Sequence, residues 1–86
     1  MLYKRNQFME NSDKISRPLD VLGSSQDKRV IIRMKSGESI TGVLKAFDQH
    51  INIWLDEAEM QGSKGDLKLG KVLVRGDNIV LVSPEK

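Results

Sequence analysis

The chain has 86 residues, contains no cysteine and one histidine, and carries 14 basic and 12 acidic side chains. This length fits one domain with a thin core, and the composition excludes disulfides and any zinc site built from histidine and cysteine. No apolar run approaches the roughly 20 residues that span a bilayer, and the N-terminus shows no secretory signal. We therefore expect a cytoplasmic protein without membrane association, whose small core favours association with other chains.

Charge is unevenly distributed along the chain. Residues 1–17 carry a net charge of +2, whereas residues 18–86 contain ten side chains of each sign and are neutral. Bulk electrostatic attraction is therefore a poor basis for binding a nucleic acid. If this domain binds RNA or DNA, we expect it to do so through a local pocket.

The N-terminal part of the chain predicts a tail followed by one short helix. Residues 1–15 show no hydrophobic period and mix both charges, so we predict a flexible extension. A helix is predicted next, because Ser16 is a favourable N-cap, Pro18 suits a first helical turn and Gly23 favours a C-terminal stop. So short a helix is unstable alone, and its leucines must pack on the rest of the domain.

From residue 30 onward the hydrophobic period changes to two, which is typical of half-buried strands. Five strands are predicted, at about residues 30–35, 40–47, 50–57, 66–75 and 78–83. Residues 60–65 are interpreted as a hairpin loop from their composition, whereas Gly42 and Gly70 each mark a bend or a close backbone approach within a strand. Bent strands with short loops favour a mainly β small barrel of the SH3-like or OB kind. The predicted domain spans residues 16–84, and residues 85–86 form a C-terminal tail.

The predicted fifth strand is apolar on both faces at residues 79–82, and Leu73 adds an apolar side chain to the outside of the fourth strand. A small barrel has only one interior, so the second face and its unpaired edge need a cover. Either the helix and the tail supply that cover, or the fourth and fifth strands pair with adjacent subunits. We favour the second alternative, and head-to-tail pairing must then close into a ring for the protein to stay soluble.

Catalytic chemistry has little support in the sequence. There is no P-loop, no dinucleotide-binding fingerprint and no zinc-protease motif, and the one histidine has no accompanying nucleophile-elbow motif. We therefore predict no enzyme activity, no catalytic residue and no cofactor. Asp56, Glu57 and Glu59 could together hold a weakly bound cation, but a solvated hairpin end is the better interpretation, so no metal site is predicted.

A second tight turn is predicted at Arg75-Gly76-Asp77. The tripeptide also matches a cell-adhesion motif, but that function requires a secreted protein, which nothing in the sequence supports. The structural interpretation is a turn in which Gly76 adopts a positive φ.

The strongest chemical signal is the turn from Asp48 to Asn52, between the predicted second and third strands. His50 supplies a flat ring that can stack on a base, Asn52 supplies an amide donor and acceptor, and Asp48 can orient that amide. Arg75 adds a planar cation that can both stack and neutralise charge. If both turns open at the same end of the barrel, a base can sit between imidazole and guanidinium, as in proteins that bind single-stranded RNA. Taken alone, each of these residues is more typical of an ordinary solvated or capped turn.

At these two turns the sequence resembles the Sm and Sm-like (LSm) family. The first Sm signature is matched by residues 37–55, GESITGVLKAFDQHINIWL, and the second by residues 69–80, LGKVLVRGDNIV. Two signatures in the right order across a variable loop make a specific match, which covers about residues 16–83. The resemblance implies a short N-terminal helix followed by a strongly bent five-stranded antiparallel SH3-like barrel. It also implies a ring, in which the fourth strand of one subunit pairs with the fifth strand of the next.

The Asp-x-His-x-Asn pattern is most similar to that of archaeal members, which form homomeric rings, typically of seven, and bind uridine-rich single-stranded RNA. By position, His50 and Arg75 would sandwich a uracil, and Asn52 would contact its polar edge while Asp48 holds the amide. The Gly76–Asp77 dipeptide would shape the second turn and contribute further RNA contacts. We therefore expect a ring that acts as an RNA scaffold or chaperone in RNA processing or turnover. The alternative is an architectural ring that recruits partner proteins, with RNA binding incidental.

Overall fold

The computed structural model describes residues 18–85, which form one helix followed by five strands. The elements are α1 (Pro18–Ser24), β1 (Arg29–Met34), β2 (Ser39–Phe47), β3 (Ile53–Gly62), β4 (Gly65–Val74), a 3₁₀ turn η1 (Gly76–Asn78), and β5 (Ile79–Pro84). The strands form one antiparallel sheet in the order β4-β3-β2-β1-β5. The predicted mainly β architecture is confirmed. The extension predicted at residues 1–15 and the N-cap predicted at Ser16 lie outside the described residues.

The core lies on one face of the bent sheet, because buried and exposed positions alternate along the strands. Its buried apolar side chains come from α1 and from the first four strands: Leu22, Val30, Ile32, Ile40, Leu44, Ile53, Leu55, Ala58 and Val74. Burying one large aliphatic side chain of this kind contributes about 1.5–3 kcal/mol. Leu22 packs the short helix against the sheet. This contact is required because so short a helix is unstable alone. No helix within residues 18–85 is long and apolar enough to cross a membrane.

Two glycines produce the bends that the sequence predicts. A Cβ atom at Gly42 would lie 3.0 Å from the carbonyl oxygen of Asp56 and 3.2 Å from the Cα of Ala58, so β2 approaches β3 more closely than a side chain permits. Gly70 has a φ of +74° and lies opposite Ala58, where the register of β3 and β4 shifts. The sheet therefore curves at a close approach and at a bulge.

Two strand boundaries differ from the sequence prediction. The third strand begins at Ile53 rather than at residue 50, because Ile51 has a φ of +63° and interrupts the extended backbone. The loop predicted at residues 60–65 is wrong at both ends, since β3 continues to Gly62 and β4 begins at Gly65. Polar pairs such as Glu59 opposite Lys68 let these strands continue into solvent.

Strands β4 and β5 are the two edges of the sheet, and both expose apolar side chains. The exposed side chains are Leu67 and Leu73 on β4 and Val80 and Leu81 on β5. Within residues 18–85, β4 pairs only with β3 and β5 pairs only with β1, so the outer side of each edge strand has no partner strand. The edges are therefore the part of the fold that requires a partner.

We predict that Gly42→Ala lowers stability by about 1–3 kcal/mol, because the added methyl group must displace backbone atoms of β3. The measurement is thermal unfolding followed by circular dichroism at equal protein concentration. Gly23→Ala is the matched control, since its Cβ would meet only the ring of Phe47 at 4.0 Å within a helix. That variant should be at least as stable as the natural sequence. Equal stability of the two variants would contradict the close-approach role of Gly42.

Candidate nucleic-acid interface

The two turns that carry the candidate RNA-binding residues are in direct backbone contact. The turn after β2 spans residues 48–52, and the turn after β4 begins at Arg75. A Cβ atom at Gly76 would collide with the carbonyl oxygen of His50 and lie 3.0 Å from the carbonyl carbon of Ile51. Because no side chain fits between these turns, both open at the same end of the sheet.

Close approach, rather than an unusual backbone angle, explains why Gly76 stands in this turn. The prediction that Gly76 adopts a positive φ is wrong, because within residues 18–85 only Gly37, Gly65 and Gly70 among the glycines do so. Gly76 instead begins η1, which follows Arg75 in an extended conformation. The space left by the missing side chain is filled by the carbonyl group of His50.

Asp48 organises the first turn through three hydrogen bonds. Its Oδ1 accepts the backbone N–H groups of His50 at 2.9 Å and of Asn52 at 3.1 Å, and its Oδ2 accepts the Nδ2–H of Asn52 at 3.1 Å. The hydrogen bonds from Asn52, followed by that from His50, hold the pKa of Asp48 below its usual value. The ionised carboxylate thus fixes both the backbone of the turn and the side chain that follows it.

Asn52 links the two turns and has its amide orientation set on both sides. Its Oδ1 accepts the backbone N–H of Gly76 at 2.8 Å, while its Nδ2 donates to Asp48. Because an N–H can only donate and a carboxylate can only accept, the amide cannot rotate by 180° without losing both bonds. We call this chain of Asp48, Asn52 and Gly76 the amide relay. One N–H and one oxygen lone pair of Asn52 are left for a ligand.

His50 and Arg75 flank the amide relay with exposed side chains. The Nη2 atom of Arg75 lies 3.3 Å from Oδ2 of Asp77, and both side chains of this ion pair are mostly exposed. Such pairs contribute little to stability, so a ligand can recruit the guanidinium at low cost. The structure therefore brings together all six residues that the sequence identified.

The acidic residues in the middle of β3 have structural partners. Oδ1 of Asp56 accepts the backbone N–H of Glu57 at 2.8 Å, and Glu57 lies 3.7 Å from Nη1 of Arg29. Within the described part of the chain, no three histidine, aspartate or glutamate side chains are grouped so that they could hold a metal ion.

An apolar cleft that the sequence did not predict borders the amide relay. The cleft has a volume of about 240 Å³ and is lined by Ala46, Phe47, Asp48, Asn52, Trp54 and Leu73. Trp54 is two residues beyond Asn52, and both residues line this cleft. That spacing was the available signal, but the neighbouring strands had to be placed before a cleft became visible.

The chain is similar in sequence to the LSM domain and to archaeal snRNP Sm-like proteins. The sequence model of the LSM domain matches residues 20–84. An snRNP Sm-like protein of Methanococcoides burtonii is 45% identical over 71 residues, which cover 80% of this chain and 97% of that protein. A similar protein of Archaeoglobus fulgidus is 45% identical over 69 residues, or 79% of this chain and 90% of its own.

Solved structures show the same similarity. The Sm protein of Pyrococcus abyssi, determined in complex with a uridine heptamer, is 39% identical, with a TM-score of 0.76 and coverage of 81% of this chain and 100% of that one. The P. aerophilum Sm protein, whose structure is a heptamer, is 32% identical to this chain with a TM-score of 0.78. The match covers 85% of this chain and 99% of that one.

We predict that Asp48→Asn lowers the free energy of unfolding at neutral pH. The substitution should also reduce the amount of stability that the protein loses as the pH falls. The folded-state pKa of Asp48 is lowered, so its contribution is present above the unfolded-state value of about 3.9 and is lost as pH falls through the folded-state pKa. Denaturant unfolding from pH 7 down to pH 3 measures both effects. Asp66→Asn, at an exposed aspartate outside the relay, is the control. An unchanged acid profile in Asp48→Asn would show that the carboxylate does not stabilise the turn.

Proposed function

We propose that this chain, which belongs to the LSM-domain family of Sm-like proteins, binds uridine-rich single-stranded RNA as a homomeric ring. In this role it acts as a scaffold or chaperone in RNA processing or turnover. The observation that carries the proposal is the amide relay, which sets the orientation of one polar amide in the two turns that also carry the exposed side chains of His50 and Arg75. The uridine heptamer bound by the similar Pyrococcus abyssi protein supports the same ligand class.

Stacking supplies the binding energy of each pocket. His50 and Arg75 belong to touching turns, and in the proposed complex their planar groups stack on the two faces of one base. Stacking a base on such a group contributes about 1–3 kcal/mol and tolerates every base. A preference for uracil must therefore come from hydrogen bonds at the edge of the base.

The amide relay provides that preference. With its orientation set, Asn52 presents an N–H donor and a carbonyl acceptor in one order. Uracil matches this order, because a carbonyl acceptor lies beside its N3–H donor. Cytosine in the same pose presents an amino donor beside the N3 acceptor, which reverses the order. Accommodating it would require Asn52 to rotate and break both bonds of the relay.

Assembly into a ring is needed to make the binding strong. One stacked base does not overcome the entropy lost on association, so a single pocket binds weakly. A ring repeats the pocket, and one RNA strand then engages later copies intramolecularly. The exposed apolar edges β4 and β5 are suited to pair with each other between subunits, and the heptamer of the similar P. aerophilum Sm protein supports a ring of seven.

We predict tight binding of oligo-U and much weaker binding of oligo-C in a fluorescence anisotropy titration at physiological salt. Both strands are pyrimidines of equal charge, so electrostatic attraction cancels in the comparison. His50→Ala should weaken oligo-U binding by roughly fivefold or more, as expected from one lost stacking contact. Asn52→Ala should also weaken it and reduce the preference over oligo-C.

Size-exclusion chromatography with light scattering tests whether these variants still form the ring. Ser63→Ala, in the distant β3–β4 turn, is the matched control and should behave as the natural chain. Dissolution of the ring by His50→Ala or Asn52→Ala would assign those residues a structural role. Equal or absent binding of both RNAs by the natural chain would favour the alternative, a ring that recruits proteins.

We also predict a shallow salt dependence of RNA binding. Residues 18–86 are neutral overall, and the pocket relies on stacking and hydrogen bonds rather than on many phosphate contacts. A plot of log K against log salt concentration should therefore have a slope that corresponds to few phosphate contacts per bound strand. A steep slope, near −0.7 for each of many contacted phosphates on a single strand, would contradict binding dominated by the pocket.

A further inference from the structure

The apolar cleft beside the amide relay has a mixed lining that the proposed uracil pocket leaves unexplained. Asp48 and Asn52 form its polar end, and Trp54 and Leu73 lie among its apolar residues. Trp54 is 41% exposed and Leu73 is 56% exposed, although both side chains are large and apolar. The cleft therefore fits an occupant that has a flat apolar face and a polar edge.

Strand register explains how this surface is built. Trp54 lies opposite Ala46 of β2 and opposite Leu73 of β4, which places the three side chains in a row across the sheet. Its neighbours Ile53 and Leu55 are fully buried on the other face, so alternation directs the indole outward. The row begins beside the candidate uracil pocket and runs to the edge strand.

Asn52 and Trp54 line the same cleft, and because they are two residues apart in the sequence, their Cα atoms are at most roughly 7 Å apart. Adjacent nucleotides of an extended single strand have bases at a comparable spacing. A strand whose uracil reaches Asn52 can therefore place a neighbouring base on the indole.

We propose that Trp54 is a second base-stacking surface, which receives the nucleotide next to the uracil held at the amide relay. The proposal rests on the proposed function and extends it by one nucleotide position. Ala46, Phe47 and Leu73 line the cleft together with the indole, and because stacking tolerates every base, this position accepts any base. Purines bind there more tightly, because they offer a larger face to the indole.

A neighbouring subunit is the competing occupant, since Leu73 lies on an edge strand. An aliphatic side chain from a second β5, such as Val80 or Leu81, would cover the indole but would offer no hydrogen-bonding group to the N–H and the lone pair of Asn52 that the amide relay leaves unused. A nucleotide satisfies both ends. The shared lining of Asn52 and Trp54 therefore favours RNA.

The experiment exploits the fact that Trp54 is the only tryptophan in the chain. Intrinsic fluorescence then reports this position alone, while anisotropy of labelled RNA reports binding. Two RNAs are compared, one alternating uridine with adenosine and one alternating uridine with abasic sites. We expect the adenosine strand to quench the indole and to bind roughly fivefold or more tightly than the abasic strand.

Substitutions at residue 54 separate stacking from simple apolar packing. Trp54→Leu should abolish the difference between the two RNAs while it retains binding through the uracil pocket. Trp54→Phe should keep part of the difference, and it tests the proposal even if the leucine variant fails to fold. Ser63→Ala, in the β3–β4 turn and outside the residues that line the cleft, is the matched control and should leave the difference unchanged.

Three outcomes would overturn the proposal. Anisotropy that shows binding of both RNAs with unchanged indole fluorescence would refute the second surface and leave the uracil pocket intact. Failure of the natural chain to bind either RNA would refute the proposed function together with the second surface. An indole already shielded from acrylamide in the RNA-free ring, with loss of the ring in Trp54→Leu and Trp54→Phe, would assign the cleft to a subunit contact.

Discussion

The candidate site depends on the side-chain amide of Asn52, because within residues 18–85 it is the only side-chain group that joins the two turns by hydrogen bonds. Gly76 donates to its oxygen and Asp48 accepts from its nitrogen, so two turns separated by more than twenty residues of sequence share one hydrogen-bond chain. The close approach of Gly76 to the carbonyl group of His50 is the steric counterpart of that chain. Together they hold His50 and Arg75 in proximity even though both side chains are themselves exposed.

The strained backbone of Ile51 lies in the first of these two turns and helps to shape it. A β-branched residue with a φ of +63° is an outlier that costs on the order of 1–3 kcal/mol. It persists because its N–H donates to the carbonyl oxygen of Asp48 at 3.0 Å, and because its side chain packs against the core near Leu22 and Val82. The core thus supports a backbone conformation that the turn alone would not retain, which links the small interior to the recognition surface.

Alternation of apolar residues was sufficient to predict the five strands and their buried face, because side-chain period follows directly from strand geometry. The boundary at Ile53 and the conformation of Gly76 could not be predicted, since each depends on a contact with a distant part of the chain. Likewise, the residue types of Asp48, His50, Asn52 and Arg75 suggested base recognition. Their hydrogen-bonding order and the cleft at Trp54 required the register of neighbouring strands.

In the proposed RNA-binding ring, affinity and selectivity have separate physical sources. Selectivity is built within one subunit, where the relay sets the donor and acceptor order of a single amide before any RNA arrives. Affinity requires repetition, because exposed planar groups on a neutral domain offer only weak stacking at each pocket. The proposed pairing of edges β4 and β5 would repeat the pocket without disturbing the relay, since the relay lies in the turns rather than in the edge strands. A change at an edge should therefore alter how many pockets act together, whereas a change in the relay should alter which base each pocket accepts.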